Sequence, residues 1–174
     1  QYQLENTESI RQQKQTLLVV DDDTEVAHYL KALLSPVYNV VCRFDADSAF
    51  KAMSEEAPDL VLSDVVMPGR NGYDLCRQIK EDLQLCHIPV ILVTAKATVE
   101  NQVEGLNTGA DAYVTKPFEP NYLLALIKSQ LKNREKVRSL LSRSTQTDEI
   151  EENVLSPQNN TFMTELYHLM ENEL

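Results

Sequence analysis

Apolar residues along this chain fall into two alternating patterns. Five short runs, "TLLVV" (16–20), "YNVVC" (38–42), "DLVLS" (59–63), "IPVILVTA" (88–95) and "DAYVT" (111–115), have strand length and are rich in Val, Ile and Leu. Between them, apolar residues recur every three or four positions, as they do on one face of a helix. Val26, Leu30, Leu33 and Leu34 follow the first run, and Pro36 ends that segment. Ala49, Ala52 and Met53 follow the second run and stop before Pro58. Leu75, Cys76, Ile79 and Leu83 follow the third. Val99, Val103 and Leu106 follow the fourth, with Gly109 placed for a left-handed C-cap. Pro89 sits near the start of its strand, where a missing N–H is tolerated. A leucine-rich helix from about Pro120 closes the series. Strands that are apolar without alternation predict a sheet covered on both faces, and intervening helices predict parallel crossovers. The expected architecture is α/β: a three-layer sandwich built from a βα unit repeated five times.

The flanks read differently. Residues 1–15 are polar and Gln-rich and read as a linker from an upstream domain, with the missing initial Met taken as the mark of a fragment. The compact domain is expected over 16–133. Helical composition then continues from Asn121 through "IKSQLKNREKVRSLLSR" to about Arg143, longer than the ~12 residues of an ordinary helix packed on a sheet. Its distal half is basic, and charges interrupt the stripe Leu131, Val137, Leu140, Leu141, which reads either as a signalling stalk or as the start of a coiled coil. Residues 134–160 are assigned to this extension and a linker, the linker itself spanning 142–160. A helical tail over 161–174, with Thr161 as N-cap and Phe162, Leu166, Leu169 and Met170 at helical spacing, reads as the start of a truncated downstream helical domain.

Composition narrows the classes. The 174 residues are 43% apolar and 25% charged, which suffices for a core. A net charge of −11 argues against nucleic-acid binding by the chain as a whole. Cys42, Cys76 and Cys86 are odd in number and show no CxxC spacing, which points to free thiols and a cytoplasmic setting. His28, His87 and His168 are too scattered for a zinc site. No apolar run approaches the ~18 residues of a membrane span, although a larger parent protein anchored in a membrane is compatible with this.

In a parallel α/β sheet, ligands bind beyond the carboxyl ends of the strands. Asp21, Asp22 and Asp23 lie at the end of the first run, Asp64 at the third, Thr94 and Ala95 at the fourth, and Thr115 and Lys116 at the fifth. Adjacent carboxylates repel one another unless a cation joins them. Acids, a hydroxyl and an ammonium on one rim suit a small hard cation together with a phosphoryl group.

The motifs "LLVVDDD", "LVLSDVVMPGRNG", "VILVTA" and "AYVTKPF" together resemble the receiver domain of two-component response regulators. Spacing agrees, with 30 residues from Asp64 to Thr94 and 52 from Asp64 to Lys116. The resemblance covers residues 16–133 and implies a flavodoxin-like (βα)5 sandwich with strand order 2-1-3-4-5. It implies that Asp64 is the phosphoacceptor, taking a phosphoryl group from the phosphohistidine of a histidine kinase or phosphotransfer domain. Asp21, Asp22, Asp64 and the backbone carbonyl of Val66 would hold Mg²⁺. Lys116 would pair with the phosphoryl group, before a cis peptide to Pro117. Thr94 would turn toward the phosphoryl oxygen and Tyr113 would change rotamer with it. The signal would reach the face of the fourth helix, fifth strand and fifth helix, where a homodimer would form or an output domain would be regulated. Any catalysis would be confined to the domain's own phosphorylation and dephosphorylation.

Simpler roles compete for some residues. Asp23 suits a helix N-terminus, where acids complement the dipole. A strand-end aspartate also serves haloacid-dehalogenase-like phosphatases, but these want a second aspartate at 66, where this chain has Val66. Neither GxGxxG nor GxxxxGK[ST] occurs, which removes Rossmann and P-loop nucleotide binding. A pseudo-receiver that only binds partners is disfavoured by the complete set of acid, hydroxyl and lysine. Val66 and Lys96 occupy positions that tune water access in the family and leave the acyl-phosphate lifetime open. The tail "FMTELYHLMENEL" is similar to the opening helix of an AraC-like DNA-binding domain, which predicts a hybrid sensor parent with kinase, receiver and output parts. DNA would then be met only through that output domain. The alternative is a stand-alone response regulator.

Overall fold

The computed structural model describes residues 13–95 and 98–151. Five strands and five helices alternate: β1 (Thr16–Val20), α1 (Thr24–Leu34), β2 (Asn39–Arg43), α2 (Ala46–Glu56), β3 (Leu60–Asp64), α3 (Gly72–Glu81), β4 (Val90–Thr94), α4 (Val99–Asn107), β5 (Ala112–Thr115) and α5 (Pro120–Glu151). All neighbouring strands pair in parallel, in the order β2-β1-β3-β4-β5. This is the flavodoxin-like arrangement expected.

Two cores follow from the two-residue period of a strand. On one face Leu18 and Val20 of β1, Val61 of β3 and Leu92 of β4 pack with Ala49, Ala52 and Met53 of α2 and Leu75, Cys76 and Ile79 of α3. On the other, Leu17 and Val19, Leu60 and Leu62, and Ile91 and Val93 pack with Leu30 and Leu34 of α1 and Leu123, Ile127 and Leu131 of α5. The strand interiors are apolar because their residues alternate between one core and the other.

Three expectations need correction. α3 stops at Glu81, and Leu83 is 92% exposed instead of continuing the buried stripe. The Asp82 carboxylate accepts from the N–H groups of Gln84 and Leu85, and this local turn takes over from the helix. Val99, Val103 and Leu106 of α4 are exposed, and Gly105 is that helix's buried residue. The helical spacing was real, but its apolar face does not look inward. α5 runs past Arg143 to Glu151, into the stretch that composition assigns to a linker. No Gly or Pro interrupts the sequence between Pro120 and Pro157, so nothing local stops propagation. The lead-in residues 1–12, Lys96, and the tail 161–174 with its expected helix lie outside the described residues.

The chain divides into two units at Arg134. The first holds the sandwich. The second, described from Glu135 to Glu151, is helical, with Val137, Leu140 and Leu141 exposed. No helix among the described residues is long and apolar enough to cross a membrane.

Arg134 is the last residue of the first unit and is mostly buried. Its Nη1 donates to the Asp59 carboxylate at 2.6 Å and to the Asp59 carbonyl at 3.1 Å. The second oxygen of that carboxylate accepts from the Thr16 N–H at 2.8 Å. Asp59 therefore joins α5 to the start of β1. The buried Nε of Arg134 has no hydrogen-bond partner among the described residues, so the Asp59 contact alone offsets much of its desolvation. Removing the Asp59 side chain leaves a guanidinium with no counter-charge and only the backbone carbonyl as acceptor, and leaves the Thr16 N–H without its acceptor, whereas removing Arg134 leaves a carboxylate still bound to that N–H. Asp59→Ala is expected to lower the unfolding free energy by about 2–3 kcal/mol and Arg134→Ala by about 1–2 kcal/mol, read from urea midpoints at unchanged slope. Equal effects from the two would remove the argument.

Candidate functional site

Strand register builds the site. Val20 pairs with Ser63, so the next residues, Asp21 and Asp64, emerge side by side from β1 and β3. Asp64 pairs with Val93, which puts Thr94 one step further along β4. Thr94 pairs with Thr115, and Lys116 follows directly. Residues far apart in sequence thus meet because each ends its strand or directly follows it.

The three aspartates after β1 have different environments. Asp21 is 2% exposed, and its Oδ1 accepts the Asp23 N–H at 2.9 Å. Asp22 is exposed. Asp23 caps α1, its carboxylate accepting from the N–H groups of Glu25 and Val26, as the helix-start reading expected. Lys116 Nζ lies 2.9 Å from Asp21 Oδ2 and 3.7 Å from Asp64 Oδ1, so one ammonium bridges two carboxylates. Burial pushes the Asp64 carboxyl above the usual carboxylate range; Lys116 opposes this, while the Asp21 charge adds to it. The N–H groups of Val65 and Val66 also favour its charged form.

Carboxylate oxygens of Asp21, Asp22 and Asp64 all lie within 4.8 Å of one another. Three acids against one lysine leave net negative charge on hard oxygen donors, and a buried carboxyl whose charged form is disfavoured gains from a further cation. The donor set fits Mg²⁺ or a similar hard divalent ion. Val66 follows in the loop with its side chain half exposed. Thr94 is fully buried, and its carbonyl accepts the Lys116 N–H at 2.8 Å. The Lys116–Pro117 peptide is cis. Tyr113, on β5, is partly buried against the core on the α2–α3 side. Near it, an open groove of about 480 Å³ is lined by Leu106, Tyr113, Pro117, Phe118 and Tyr122 among others.

Gly72 belongs to the site although no sequence pattern singled it out. A Cβ there would lie 2.1 Å from the Asp64 carbonyl oxygen and 2.8 Å from Val65 Cα. Only glycine lets the first residue of α3 press against the backbone that carries Asp64. The Gly72 N–H donates to the Val65 carbonyl at 2.8 Å, and Asn71 with Asp74 forms a capping box beside it. The signal in the sequence was a glycine placed directly after an N-cap residue, inside "RNGYD".

The doubly wound parallel sheet thus gathers three acids and a lysine at its strand ends. The family model described as response regulator receiver domain matches residues 17–128. The chain belongs to that family. It is similar to Histidine kinase P4 of Formosa agariphila, 36% identical over 132 residues, which are 76% of this chain and 10% of that protein. The chain therefore spans about a tenth of the length of that curated relative. Among solved structures it resembles a CheY-like response regulator receiver domain protein from Methanospirillum hungatei, 34% identical with a TM-score of 0.66, covering 71% of this chain and 98% of that one. It also resembles the signal receiver domain of a signal transduction histidine kinase from Syntrophus aciditrophicus, 35% identical with a TM-score of 0.65, covering 68% of this chain and 91% of that one.

Gly72→Ala is expected to displace the Asp64–Val65 backbone and to lower the unfolding free energy by about 1–3 kcal/mol. Amide chemical shifts of Asp64 and Val65, together with a urea denaturation curve, check it; shifts confined to α3 with an unchanged midpoint would count against the close approach.

Proposed function

We propose that this receiver domain takes a phosphoryl group onto Asp64 from a phosphohistidine on a histidine kinase or phosphotransfer partner. The observation that carries the reading is the Lys116 ammonium lying 2.9 Å from Asp21 and 3.7 Å from Asp64 on the rim where the acids converge. An Asp64 carboxylate oxygen attacks phosphorus, the phosphorus–nitrogen bond of the donor breaks, and the imidazole leaves with the bonding pair and gains a proton. The product is an acyl phosphate. Water later attacks phosphorus, releasing inorganic phosphate and restoring the carboxylate. Receiver catalysis of this kind acts on the domain itself.

Asp21, Asp22, Asp64 and the Val66 carbonyl would hold Mg²⁺. When bound, the ion supplies positive charge to the acids and to the phosphoryl oxygens. Lys116 is placed to exchange its Asp21 contact for a phosphoryl oxygen. Thr94, at the end of β4, would turn its hydroxyl toward the phosphoryl oxygen, and Tyr113 would relay its movement to the face of α4, β5 and α5. That face, with its groove, is the surface we assign to a homodimer or an output partner.

The domain is inferred to span 16–133, with the helix beyond it as a connector. We further infer that it serves a hybrid sensor, because the curated relative named above is a histidine kinase in which the matched segment is 10% of the length. An AraC-like transcriptional output acting on DNA rests on the "FMTELYHLMENEL" tail, which lies outside the described residues. A cytoplasmic location accords with three free cysteines.

Incubation with acetyl phosphate and Mg²⁺ is expected to add about 80 Da, one phosphoryl group, to the wild type and nothing to Asp64→Asn, read by intact mass. Chelation of Mg²⁺, or Asp21→Asn, is expected to cut the labelling rate by at least about tenfold, the size of loss that removing one such electrostatic contact produces. Equal labelling of Asp64→Asn would refute the assignment.

A further inference from the structure

We propose that Tyr73 is a positioning residue for the switch tyrosine: its hydroxyl ties α3 to α4 and holds the Tyr113 ring in a slot that exists because residue 105 is glycine. This rests on the reading of Tyr113 as the relay, and deepens it.

Tyr73 is the second residue of α3 and 5% exposed. Its hydroxyl donates to the Asn101 carbonyl at 2.9 Å, reaching from α3 to the first turn of α4. The Tyr73 side chain also hydrogen-bonds the Tyr113 side chain, an interaction that favours the neutral Tyr73 phenol. Burial, more than this bond, pushes the Tyr73 phenol above its usual range, so the group stays a neutral relay of hydrogen bonds.

The slot is set by sterics. A Cβ at position 105 would lie 2.6 Å from Cδ2 and 2.9 Å from Cε2 of Tyr113, and 3.5 Å from Cε1 of Tyr73. Gly105 sits in the interior of α4, where glycine weakens a helix, yet any side chain would strike the Tyr113 ring. Gly105 is also the buried residue of α4, so the Tyr113 ring and the Tyr73 hydroxyl are where that helix meets the domain. When Tyr113 leaves its place, the Tyr73–Tyr113 bond breaks and α4 loses the ring it packs on. The latch therefore opposes switching in the unphosphorylated chain.

The test uses the full chain with ring-labelled tyrosine, its Tyr113 signals assigned by their loss in Tyr113→Phe. Without phosphoryl donor, Tyr73→Phe is expected to move the Tyr113 ring signals toward the positions they take on phosphorylation. At subsaturating acetyl phosphate it should raise the phosphorylated-to-unphosphorylated ratio between about 2-fold and 10-fold, the range of one neutral hydrogen bond. Gly105→Ala should move the Tyr113 signals further in the same direction; Tyr73→Phe keeps the ring and so tests the latch even if the alanine variant fails to fold. Tyr113 signals unchanged in Tyr73→Phe overturn the proposal. Signals that move while the phosphorylation ratio stays at the wild-type value overturn its regulatory part. If the wild type takes no phosphoryl group, the reading of Asp64 fails, and the donor-free spectra still decide whether Tyr73 positions Tyr113.

Discussion

The site depends on one ammonium group held between two carboxylates. Parallel pairing forces Asp21 and Asp64 out of adjacent strand ends, and one buried and one partly buried negative charge there would oppose folding unless compensated. Lys116 compensates, 2.9 Å from one and 3.7 Å from the other, and it arrives from β5 at the edge of the sheet. The compensation is incomplete. Asp22 adds a third acid, and burial still holds the Asp64 carboxyl above the usual carboxylate range. A rim built this way is stable enough to fold and still short of positive charge, the condition in which a cation is welcome and a phosphoryl group can follow it.

The same register explains why the surroundings are so constrained. Asp64 must stay beside Asp21 and in line with Val93, so the backbone after it is pinned by the Gly72 N–H and admits no side chain at 72. Asp23, by capping α1, turns the chain away so that Asp21 and Asp22 are left at the rim while the third carboxylate is consumed locally. Three identical residues in a row therefore do three different things: one buried against Lys116, one exposed beside the cluster, and one holding a helix. Their order along the turn, and not their chemistry, decides which is which.

Much of this was legible in the sequence. Near-continuous apolar runs gave the parallel sheet, because a strand with two covered faces has no polar side to show. Strand-end acids, Thr94 and Lys116 were found because doubly wound sheets place their chemistry at carboxyl ends. What escaped had no periodic or charge signal. Gly72 and Gly105 matter through the atoms that approach them, Asp64 and Tyr113, and those approaches are tertiary. Tyr73 drew no reading from the sequence, and its hydroxyl gained a meaning only once Asn101 and Tyr113 were beside it. The stripe of α4 misled for the converse reason: helical spacing reports a helix, but not which way it is turned. Leu83 failed because the Asp82 turn, a local competitor, ends α3 before it.

The two helices flanking β5 are attached in contrasting ways, and the contrast bears on where a signal can go. α5 packs with Leu123, Ile127 and Leu131, each nearly or fully buried, and within the first unit it is anchored again where Arg134 meets Asp59. Displacing it would expose apolar surface and unpair a buried guanidinium together. α4 meets the domain through a glycine against a tyrosine ring and through one carbonyl on Tyr73, while its own apolar residues already face outward. Moving α4 costs little burial, because little is buried. The switch proposed for Thr94, Lys116 and Tyr113 would therefore meet least resistance toward α4. The apolar surface of Val103 and Leu106 and the groove beside them lie on that path, and they are what a partner binding there would sense.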